Sequence, residues 1–119
     1  MSTSILDSTK KILGLEAEYT VYDLDIITHI NSVLSDLTLL GIGPDEGFAI
    51  EDADTTWEDY LAGDLTLSSV RTYLYLRVRL LFDPPTTSYL ITSLQEQIQA
   101  LEWRINVIRE GVKWTDPTI

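Results

Sequence analysis

The stretch LSSVRTYLYLRVRLLFDPP, residues 67–85, decides how this chain folds. Up to Phe82 it holds no glycine or proline, and Val70, Tyr73, Leu74, Leu76, Val78, Leu80, Leu81 and Phe82 cover most of the circumference of a helix. A helix apolar on nearly all sides must be covered on more than one of them, which predicts the central element of a bundle or one with a partner on its second side. Asp83 followed by Pro84 and Pro85 ends it sharply, because proline has no N–H to donate and disfavours helical backbone in the residue before it. Arg77 projects into this surface between Tyr73, Leu74, Leu80 and Leu81. An unpaired charge there is costly, so Arg77 is expected to meet a carboxylate or to reach an interface.

Beyond the prolines, Ser88 to Glu110 carries Ile91, Leu94, Ile98, Leu101, Ile105 and Ile108 at alternating spacings of three and four, the seam of helix-to-helix packing. Gly111 predicts the end of that helix, and the residues after it, with Trp114 and Pro117, a short tail. Upstream, Tyr22 to Leu40 sets Ile26, Ile27, Ile30, Val33, Leu34, Leu37 and Leu40 on an arc of roughly 140°, one buried face. Gly41 and the Gly43-Pro44 pair stop it. Ser4 to Leu13 reads as a short helix closed by Gly14, and GFAIE at 47–51 as a short extended piece. Thr55 with Glu58 predicts a capping box for a short helix that carries Trp57, Tyr60 and Leu61 and ends at Gly63. There is no internal repeat, no strand alternation long enough for a sheet and no separating linker. The expected fold is all-α, a small helical bundle with a long C-terminal helix, residues 1–111 forming one domain and 112–119 a C-terminal tail.

The 119 residues are 45% hydrophobic and 23% charged, a globular rather than a disordered composition. Nineteen acidic residues against eight basic give a formal charge of −11, which opposes attraction to nucleic-acid backbones and anionic membranes. The N-terminus lacks a cationic start followed by a long apolar run, so a soluble, unprocessed chain without a membrane partner is expected. With no cysteine, disulfides, thiol chemistry and cysteine-bound zinc are excluded. Between Ile12 and Val70 there is no lysine or arginine but thirteen acidic residues. Such a one-sign surface serves solubility, or else attracts a basic partner or repels phosphate.

Catalysis is poorly supplied. His29 has Asp25 one turn before it, but no glycine-flanked serine or cysteine nucleophile accompanies the pair, and a boundary histidine is the plainer reading. The run Glu51-Asp52-Ala53-Asp54 looks like half a calcium loop without the glycine at its sixth position or the acid at its twelfth, so a solvated acidic loop is expected. No phosphate loop and no zinc spacing occurs, and neither an enzyme activity nor a cofactor is expected.

The order of segments carries a resemblance. DSTKKILGL (7–15), DLDIITHIN (23–31), LGIGP (40–44), GFAIED (47–52), WEDYL (57–61), YLRVRLLFDPP (75–85) and EWRINV (102–107) together resemble the head-to-tail connector proteins of tailed bacteriophages, the adaptor or head-completion proteins of the neck. The match extends from about Ser4 to Gly111, and its most specific block is LLFDPP after an arginine-containing helix. The resemblance implies a structural virion protein, assembled in the host cytoplasm into a homo-oligomeric ring of twelve. It implies a portal above, a stopper or tail-completion protein below, and DNA passing through without specific binding. It carries over no active site. A different class, a small acidic binding protein or DNA mimic that inhibits a basic nucleic-acid-binding partner, also fits the charge.

The last helix carries a second apolar stripe, Tyr89, Ala100, Trp103 and Val107, away from the isoleucine and leucine seam. Aromatic residues beside aliphatic ones in water mark contact surfaces. Trp103 is therefore expected at a subunit contact with Tyr89 and Val107 around it, and the tail through Trp114 at the portal or an adjacent subunit. The competing expectation is that the loop bearing Trp57 folds over this stripe.

Overall fold

The computed structural model describes residues 3–61 and 67–113, with side chains except at 67 and 108–113. It contains α1 (Ile5–Ile12), α2 (Asp23–Leu39), α3 (Trp57–Leu61), α4 (Leu67–Phe82) and α5 (Ser88–Lys113), and no strand among the described residues. The fold is the expected all-α bundle.

Several of the helix ends have a local cause. The Ser4 hydroxyl caps α1 by accepting the Asp7 N–H at 3.1 Å. α1 closes with the paired bonds of a Schellman turn, Leu15 N–H to Lys10 O at 2.8 Å and Gly14 N–H to Lys11 O at 3.1 Å, with Gly14 at φ 83°. α2 ends in the same way, Ile42 N–H bonding Leu37 O at 2.9 Å and Gly41 N–H bonding Thr38 O at 3.0 Å. α4 stops at Phe82, directly before Asp83 and the two prolines. Thr87 caps α5, its hydroxyl accepting the Leu90 N–H at 3.3 Å.

Two local expectations are corrected. The capping box lies one residue later than Thr55 and Glu58: the Thr56 N–H donates to Asp59 Oδ2 at 2.9 Å, and the Asp59 N–H to Thr56 Oγ1 at 3.1 Å. The Thr55 carbonyl is already engaged, accepting the Ile5 N–H at 3.0 Å where the chain crosses the start of α1. Residues 47–50 belong to no helix or strand, and Asn31 holds their end, its Oδ1 accepting the Ile50 N–H at 2.8 Å and its Nδ2 donating to Ile50 O at 3.0 Å. Gly111 does not end α5, which continues to Lys113. One glycine costs a helix only about 1 kcal/mol, which a helix of 26 residues absorbs. Gly63 lies outside the described residues.

α4 is central, packed against α2 on one side and α5 on another. The core unites Ile26, Ile30, Val33, Leu34 and Leu37 of α2 with Val70, Tyr73, Leu74 and Val78 of α4. Ile5 and Leu6 of α1 and Trp57 and Tyr60 of α3 close one end, while Ile98 and Ile105 of α5 pack from the far side. The wide apolar surface of α4 is thus used on both flanks, as its circumference predicts.

Candidate subunit interface

Because the connection through Asp83, Pro84 and Pro85 is short, α5 folds back along α4 and offers it one face only. Ile98 and Ile105 are buried in that contact, with Leu101 packed beside them. Around the helix, Trp103 lies roughly 140–160° from these residues at 100° per residue, so it points away from the bundle. Trp103 is 70% exposed, Tyr89 80% and Val107 47%, and Ala100 is exposed between them. Three large apolar side chains thus share one water-facing stripe of a helix whose opposite side already holds the core.

Trp57, the residue expected to cover this stripe if the chain covered it itself, is elsewhere. It is fully buried, its Nε1–H donates to Ser8 Oγ at 3.0 Å, its ring meets Tyr75 edge-on at 6.0 Å, and the Arg71 guanidinium lies 5.4 Å above it. Trp57 locks α3 onto α1 and α4, and the α5 stripe remains exposed. Trp114 lies outside the described residues, as do the side chain of Ile108 and the tail from 114 onward.

Arg77 meets its carboxylate within the chain. One guanidinium nitrogen lies 2.6 Å from Asp36 Oδ2 on α2, and another donates to the Tyr73 hydroxyl at 2.7 Å. The Tyr73 hydroxyl in turn donates to Glu102 Oε2 on α5 at 3.4 Å. One polar chain therefore ties three helices together beside the core. Burial pushes the Tyr73 phenol above its ordinary pKa, against the opposing pull of the Arg77 charge. For Arg77, burial works against the charge, but the bonds to Asp36 and Tyr73 outweigh it and hold the pKa above its ordinary value.

Two features escaped the sequence reading. Lys10 is 1% exposed; its ammonium lies 2.8 Å from Asp23 Oδ1 and donates to Ala17 O at 2.9 Å, pinning the acidic connector to α1. A lysine in the last turn of a short helix gives no sign in sequence that it turns inward. The second is an aromatic corner where α2 starts and α4 ends: Tyr22 stacks edge-on with Tyr19 at 5.9 Å and with Phe82 at 5.4 Å. Beside it Val21, Leu24 and Leu81 are exposed. Tyr22, Asp25, His29, Leu81, Phe82 and Asp83 line a shallow groove of about 460 Å³ there. His29 thus sits on a groove wall. In the loop at 51–54, Asp52 accepts the Asp54 N–H at 2.9 Å. No three His, Cys, Asp or Glu side chains converge as metal ligands among the described residues, and no helix there is long and apolar enough to cross a membrane.

These features describe a helical unit with an outward apolar stripe and a strongly acidic surface. A family model described as phage connector protein matches residues 5–112, nearly the whole chain. No curated protein and no solved structure matches it. The match runs from the first residue of α1 to within one residue of the end of α5, and with it the chain belongs to the phage connector protein family, structural proteins of the head-to-tail connection.

Proposed function

We propose that the chain is an adaptor subunit of the phage neck, a non-enzymatic protein forming a homo-oligomeric ring of twelve between the portal and a stopper or tail-completion protein. In this reading the ring joins head to tail within the virion and lets DNA pass without holding it. The observation that carries it is the stripe of Tyr89, Trp103 and Val107, exposed on the side of α5 opposite its core contact. A ring subunit needs a surface that is wasteful in a monomer, and tryptophan and tyrosine are the residues most often found as anchors of such contacts. The excess of acid between Ile12 and Val70 suits a channel that repels phosphate. Arg77 supports the contact indirectly, by holding α4 in place under α5.

Electron microscopy of the purified full-length chain, alone and with the portal of its phage, tests this reading. Rings in either sample support it. A chain that stays monomeric with the portal present and instead captures a basic DNA-binding protein overturns it in favour of an acidic mimic.

A further inference from the structure

The chain presents two different exposed apolar surfaces, the outward stripe of α5 and the corner where α2 starts and α4 ends. They cannot satisfy each other within one molecule. Trp103 lies fourteen residues beyond Tyr89, about 21 Å along α5, and faces away from α4. Their chemistry is complementary. The groove at the corner has apolar walls from Tyr22, Leu81 and Phe82 and a rim carrying the carboxylates of Asp25 and Asp83. The α5 stripe offers an indole with an exposed arginine, Arg104, beside it. At 460 Å³ the groove admits an indole, which buries roughly 150–250 Å² when it enters such a site. Contact between two unlike surfaces of identical chains is head-to-tail, and head-to-tail contacts close into rings when the rotation permits.

We propose that the groove between Tyr22 and Leu81 receives Trp103 of a neighbouring copy of this chain, whose Arg104 meets Asp25 and Asp83 at the rim. This rests on the ring reading above and names the surface on which the α5 stripe docks. It also explains why Tyr22 and Leu81 are left half-exposed beside an acidic rim.

The absence of native cysteine makes the contact directly testable. Ala100 lies one turn from Trp103 on the same stripe, and His29 lines the groove, so Ala100→Cys and His29→Cys leave the indole, the apolar walls of Tyr22, Leu81 and Phe82 and the carboxylates of Asp25 and Asp83 in place. The two single variants, full length, are mixed in equal amounts under mild oxidation while the wild type is sized in parallel by sedimentation. The expected result is a disulfide-linked pair in the mixture, a ladder of linked species from the double variant, and loss of both when Trp103→Ala is added. A link that survives Trp103→Ala, or homodimers of Ala100→Cys alone with nothing added by the mixture, overturns the groove as the receiving surface and leaves association standing. A wild type that stays monomeric at every concentration, both alone and with the portal, with no link in any sample, overturns the ring reading as well.

Discussion

Arg77 of α4 and Asp36 of α2 form a 2.6 Å ion pair at the edge of the core, and the same guanidinium reaches Tyr73 at 2.7 Å. The charge that looks misplaced in an apolar helix is the clasp between α2 and α4. Arg77→Ala removes both bonds and the packing of the side chain's stem, and is expected to destabilise the chain by about 1–3 kcal/mol. Arg77→Met keeps most of the volume and is expected to cost less, although Asp36 loses its partner in both variants. Urea unfolding of the two variants checks the order. Equal losses would show that the stem contributes nothing.

Gly43 and Gly14 both hold left-handed backbone, at φ 81° and 83°, but only one has a crowded neighbour. A Cβ at Gly43 falls 2.5 Å from the Tyr60 ring, which is itself held by Phe48 at 4.8 Å and Trp57 at 6.3 Å. A Cβ at Gly14 meets nothing within 4 Å. Gly14→Ala is expected to cost about 1–2 kcal/mol, the penalty of the backbone conformation alone. Gly43→Ala is expected to cost about 2–4 kcal/mol, the same strain plus a displaced aromatic ring. Thermal unfolding of the two variants gives the comparison directly.

The one-sign surface makes a prediction about nucleic acid. With thirteen acidic and no basic residues between Ile12 and Val70, the isolated chain is expected to show no retention of duplex DNA across about 50–200 mM salt. Mobility shifts at low salt check it, since screening within a Debye length of roughly 8–10 Å weakens repulsion as salt rises. Tight binding anywhere in that range contradicts a surface made to let DNA pass.

How far the fold was legible follows from what each signal reports. The circumference of α4 and the arc of α2 are patterns of burial, and they placed the core and the centre of the bundle directly. The cap of α3 was missed by one residue because Thr55 and Thr56 are equal candidates locally, and the choice is made by Ile5, whose N–H takes the Thr55 carbonyl from fifty residues away in sequence. Gly111 read as a stop because glycine is a common one, whereas α5 runs through it to Lys113, a single glycine being a small cost in a helix of 26 residues. The stripe of Trp103 could be read because a second apolar arc on one helix is itself periodic. The groove that faces water at Tyr22 and Leu81 could not, because it joins the ends of two helices nearly sixty residues apart and belongs to the periodicity of neither.

The subunit contact proposed for the outward stripe of α5 has a direct test. Trp103 lies on the side of α5 opposite Ile98 and Ile105 and is 70% exposed, so its removal is expected to leave the isolated fold nearly unchanged, within about 0.5 kcal/mol. Sedimentation velocity of Trp103→Ala beside the wild type, with circular dichroism melting of the same samples, is the most direct measurement. The wild type is expected to associate, alone or with the portal present, and the variant not to, with the same helical content and melting temperature in both at concentrations where both are monomeric. A variant that assembles like the wild type, or one that loses assembly only because its helices melt, contradicts it.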